Sequence, residues 1–115
     1  MPRDILIITR RQPDLPGLTA AALSVDPDLG VRTIAGQAVT QLCVGEQPVL
    51  SIAPPLSVRA SHETARLAPD SALAATPVWW TEAWAPWGAD GERGVQIAQA
   101  LAARFDGEAR SATPA

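Results

Sequence analysis

All four tryptophans of this chain fall within nine consecutive positions, at Trp79, Trp80, Trp84 and Trp87, and the only other aromatic residue is Phe105. Each indole can bury about 150 to 250 Å². Together they carry on the order of 15 to 25 kcal/mol of gross transfer free energy at about 25 cal/mol per Å². Left wholly exposed, they would exceed the contiguous apolar patch that a soluble monomer tolerates. Whatever this chain folds into must therefore cover at least some of a short, ring-dense segment.

That segment reads as a strand. Pro77 and Pro86 bracket Val78–Ala85, and its bulky residues favour extended backbone. Strand alternation sets Val78, Trp80, Glu82 and Trp84 on one face and Trp79, Thr81 and Ala83 on the other. Helical spacing competes, because Trp80, Trp84 and Trp87 recur at intervals of four and three. As a strand, one face should meet helices and leave one or two rings for a subunit contact.

The rest of the chain supplies a plausible scaffold. Asp4–Thr9 is short and apolar on both alternate faces, as in a strand inside a sheet. Asp14 can cap a helix with Leu15, Leu18, Ala22 and Leu23 near one face, ended by Asp26-Pro27-Asp28. Val31–Ala35, Ala38–Val44 and Pro48–Ala53 alternate as strands around Gly36 and the Gly45-Glu46-Gln47 turn, with Leu42 and Val44 able to meet Leu50 and Ile52. Pro54-Pro55 stops the last of these. A short helix is expected over Ser61–Leu67, then a loop over 68–76. The strongest helical pattern runs from Asp90, as cap, to Phe105, with Gly94, Ile97, Ala98, Leu101 and Phe105 in one stripe and Gly107 just past the end.

The order β-α-β-β-β-α-β-α predicts an α+β fold, a two-layer sandwich in which helices cover one face of a mostly antiparallel sheet. At 115 residues and 47% apolar content, one domain over 1–107 is expected, with 108–115 as a flexible C-terminal tail. Such a length buries roughly two-thirds of the unfolded surface without needing disulfides, and Cys43 has no second cysteine to bridge. The start MPRDILIITRRQPD holds only four consecutive strongly apolar residues, too few for a signal peptide or a membrane span. A cytoplasmic location without membrane insertion is the expectation.

Composition removes several function classes. Lys, Asn and Tyr are absent and all nine basic residues are arginine, a pattern of GC-rich bacterial coding. Without lysine there is no side-chain amine for a Schiff base or a phosphate-cradling P-loop. A net charge of −3 gives no counterion-release drive toward nucleic acid, and Arg10-Arg11 is the only adjacent basic pair.

The chemistry-bearing residues are sparse. Glu82 is the one charged group among the rings, which makes it the first candidate for a functional ionisable side chain. The ordinary alternative is a solvent-facing or arginine-paired glutamate. His62-Glu63 resembles the start of a zinc-protease helix, but Arg66 stands where the second histidine is required, so no metal site is assigned. No serine sits in a nucleophile elbow, and Cys43 between Leu42 and Val44 reads as a buried thiol. Gly88, Gly91 and Gly94 lead into the last helix, where Asp90 and Glu92 would repel an anion. No catalytic residue and no cofactor is expected.

The opening strand, Gly45-Glu46-Gln47-Pro48-Val49-Leu50, Pro77-Val78-Trp79-Trp80-Thr81-Glu82 and the alanine-rich final helix together resemble an actinobacterial family of uncharacterised proteins, often encoded near type VII secretion genes. The resemblance spans most of residues 4–107. It implies an accessory or interaction role and transfers no catalytic residue. The expected function is thus a non-enzymatic accessory or protein-interaction module that binds a partner, or a second copy as a homodimer, through Trp79, Trp80, Glu82, Trp84 and Trp87. The alternative is a small-ligand-binding protein or enzyme that uses Glu82 with a nearby arginine, Arg59 or Arg66.

Overall fold

The computed structural model describes residues 3–34, 36, 39–58 and 78–111. Strand β1 (Arg3–Thr9) opens the chain, and helix α1 (Leu15–Val25) follows, its first turn closed by the Asp14 carboxylate accepting from the Gly17 N–H at 2.7 Å. Strands β2 (Gly30–Ile34), β3 (Val39–Val44) and β4 (Gln47–Ile52) form an antiparallel meander. After Pro54-Pro55 come β5 (Leu56–Val58), β6 (Val78–Ala85), helix α2 (Ala89–Arg104) and β7 (Gly107–Ser111).

These strands make one seven-stranded sheet in the order β2-β3-β4-β6-β1-β7, with every described pairing antiparallel. The fold is α+β, as the element pattern predicts. β6 is interior: β1 runs along one side, and β4 and then β5 line the other. The register against β6 slips by one between Ile52↔Ala83 and Leu56↔Trp80, where Pro54 and Pro55 lack the N–H groups a ladder needs. A second irregularity lies between Leu42 and Cys43 of β3. There β4 carries an extra residue, so the adjacent Val49 and Leu50 are both buried in the helix-side core.

Both described helices lie on one face of the sheet. Ile5 and Ile7 of β1, Leu50 and Ile52 of β4, and Ala83 and Ala85 of β6 join Leu18, Ile97, Leu101 and Phe105 in a single core. Small residues set how close the layers come. A Cβ on Gly94 would fall 2.0 Å from the Val49 carbonyl oxygen, and one on Gly17 would fall 2.1 Å from the Phe105 ring. Arg93 of α2 pairs with Asp26 after α1 at 3.1 Å, tying the two helices at their polar margin.

Several expectations are corrected. Glu108–Ser111 is not part of a tail; it belongs to β7, which pairs with β1 over Ile5↔Ser111 to Thr9↔Gly107. Residues 112–115 lie outside the described residues. The cap of α2 is Gly88 rather than Asp90, and the left-handed residue after α2 is Asp106, at φ 61°, rather than Gly107. In α1, Leu15 and Leu23 are exposed, and the buried stripe is Gly17, Leu18, Ala21 and Ala22. The strand order gains β5 and β7, whereas the helix expected over 61–67 and the loop over 68–76 lie outside the described residues.

Candidate functional site

From Trp80 onward, strand alternation along β6 separates small residues from large ones. Thr81, Ala83 and Ala85 point under the helices, each about 1% exposed. Trp80, Glu82 and Trp84 point to the opposite face, beside Asp4, Leu6 and Ile8 of β1. Cross-strand partners extend this second face. Trp80 lies between Leu56 and Ile8, Glu82 beside Leu6, and Trp84 between Ser51 and Asp4.

The face grades from closed to open. Near β5, Ile8 and Val78 are buried, with Leu6, Val58 and Trp80 packed against them, and the Trp80 Nε1–H is buried without a hydrogen-bond partner among the described residues. Toward the other end, Glu82 and Asp4 are exposed and Trp84 is half-buried. Trp87, just past β6, is 59% exposed, and Leu56 beside Trp80 is 66% exposed. Beyond Trp84 a polar row crosses the sheet: Arg32 Nε donates to Gln41 Oε1 at 2.9 Å, and Gln41 Nε2 donates to Ser51 Oγ at 3.0 Å.

Trp84 stands between two depressions. One, of about 260 Å³, has Leu6 in its lining, the Trp80 and Trp84 rings beside it, and the carboxylates of Asp4 and Glu82. The other, of about 490 Å³, is lined by Gln47, Pro48, Ser51, Trp84 and Trp87. Trp87 itself is held by Arg3, whose guanidinium carbon lies 4.8 Å from the ring centroid while Nη1 pairs with Glu92 at 2.9 Å.

The structure thus brings Trp80, Glu82, Trp84 and Trp87 to one side of the molecule. It does not bring Trp79 to them. Trp79 faces the helix side of β6, half-buried between Thr9 and Ser57. Glu82 is exposed, the solvent-facing arrangement given above as its ordinary alternative. Arg59 and Arg66, the expected partners of Glu82, and His62 and Glu63 lie outside the described residues. Among the described residues no basic side chain meets Glu82 or Asp4, and no cluster of three or more metal-ligating side chains occurs. Cys43 is buried as a free thiol. No described helix is long and apolar enough to cross a membrane.

Asp4 and Leu56 belong to this face and were not singled out from sequence. Asp4 opens a strand that is apolar on both alternate faces, so its position becomes informative only once β1 pairs with β6. Comparison with protein-family models, curated proteins and solved structures finds no match, so the geometry alone carries the functional reading.

Proposed function

We propose that this chain is a non-enzymatic interaction module of the cytoplasm, which offers the face around Trp80, Trp84 and Trp87 to a protein partner or to a second copy of itself. The observation that carries this reading is the division of β6. Its alanine face fills the helix-side core, and its tryptophan face is left half-buried or exposed. Exposed tryptophan is costly in water and is enriched where proteins meet. The accessory role implied by the resemblance to the actinobacterial family is of the same kind.

Light scattering across a wide concentration range, paired with Trp84→Ala and Trp87→Ala, tests the proposal. Association that both substitutions abolish, with the melting transition retained, supports it. A strictly monomeric chain whose tryptophan emission resists soluble quenchers removes its basis.

A further inference from the structure

Deepening that proposal, and resting on it, we infer that the depression between Trp80 and Trp84 receives one basic side chain of a protein partner, arginine in preference to lysine. Three features select this occupant. The first is charge. Asp4 and Glu82 are both exposed carboxylates on the depression, and among the described residues neither meets a basic group. Arg110 lies on the same face, opposite Leu6, but does not line the depression.

The second feature is the mixed wall. Leu6 and two indoles offer apolar surface beside the carboxylates. A bare metal ion would gain nothing from Leu6 and the rings, and a purely apolar ligand would leave two carboxylates to be desolvated against it. A cation carried on a methylene stem uses both, with the stem along the apolar wall and the head toward the acids. A planar guanidinium can also stack on an indole face while bonding a carboxylate, which an ammonium does less well.

The third feature is size. The depression holds about 260 Å³, below the roughly 300 to 1,000 Å³ usual for sites that enclose a drug-sized molecule or cofactor. It suits a single side chain presented by a larger partner. The chain already builds this trio within itself, for Arg3 sits 4.8 Å from the Trp87 centroid with Glu92 at 2.9 Å as counter-charge. Trp80, Trp84, Glu82 and Asp4 repeat the indole and the acid, with no arginine paired to either acid among the described residues.

The test uses the intact chain, ¹⁵N-labelled, with its four indole N–H signals as reporters. The probe is a capped glycine–serine peptide carrying one central arginine, compared with the same peptide carrying lysine or citrulline. The arginine peptide should shift the Trp80 and Trp84 signals saturably and leave Trp79 on the opposite face unmoved. Lysine should bind more weakly, and neutral citrulline should not bind. Glu82→Gln and Asp4→Asn should each weaken arginine binding about three- to fivefold, and the double variant should abolish it. Both side chains are exposed, so the variants keep the fold.

Equal shifts with arginine and citrulline, or no shift at any peptide concentration, overturn the inference. So does a chain already dimeric with the Trp80 and Trp84 signals insensitive to peptide, which would make a second copy the occupant. If Trp84→Ala still abolishes association while Glu82→Gln and Asp4→Asn change nothing, the interaction face stands and only its charge chemistry is wrong. If all these variants are silent, both readings fall.

Discussion

The two faces of β6 solve opposite problems with one strand. Toward the helices it presents Thr81, Ala83 and Ala85, and away from them Trp80, Glu82 and Trp84. The helix side is closed by small residues because α2 comes close. A Cβ on Gly94 would lie 3.1 Å from that of Ala85 and 2.0 Å from the Val49 oxygen, so bulk on that face of β6 would push the helix away. The volume there comes instead from Ile97, Leu101 and Phe105. Tryptophan could not have been spent on that core without dismantling it. Residue size alone does not mark the interior, since the largest side chains of this chain stand outside its main core.

Substitutions on the two faces should therefore differ in kind. Leu101→Ala, which opens a cavity where the side chain is about 1% exposed, should cost about 3 to 4 kcal/mol in urea unfolding. A loss below about 1 kcal/mol would mean the helix layer is looser than described. Gly94→Ala should cost about 2 kcal/mol, because backbone rather than a flexible side chain blocks the new methyl. An unchanged urea midpoint would break the claim of close approach. On the other face, Trp84→Ala should cost only about 1 kcal/mol despite removing a larger side chain. If it destabilises as much as Leu101→Ala, the contrast between faces disappears. Trp87→Ala should change stability by no more than about 0.5 kcal/mol, and calorimetry would reveal any greater dependence on its stacking with Arg3.

The partition of β6 was legible in the sequence, since a period of two assigns Trp80, Glu82 and Trp84 to one side as soon as the segment is read as a strand. Which side would meet the helices was not, because both faces carry tryptophan. Deciding it requires knowing that Gly94 packs against Ala85, a contact between different elements. The same limit explains α1. Leu18 and Ala22 are buried as the apolar pattern reads, but Leu15 and Leu23 are exposed and Gly17 and Ala21 take their place, with Phe105 occupying the space over Gly17. β7 was missed because Gly-Glu-Ala-Arg-Ser has no β-branched residue; its strand is set by pairing with β1 rather than by local preference. Asp4 entered the site only through its pairing with Trp84. The cap at Asp14 and the α2 stripe, by contrast, rest on neighbours in sequence, and both were readable.

The claim that the tryptophan face is a surface rather than a core is tested most directly by a soluble paramagnetic agent, read on the four indole protons. Trp87 and Trp84 should broaden strongly, whereas Trp80, whose Nε1–H is buried, should stay sharp. Equal protection of all four would place every ring in the interior and contradict the account.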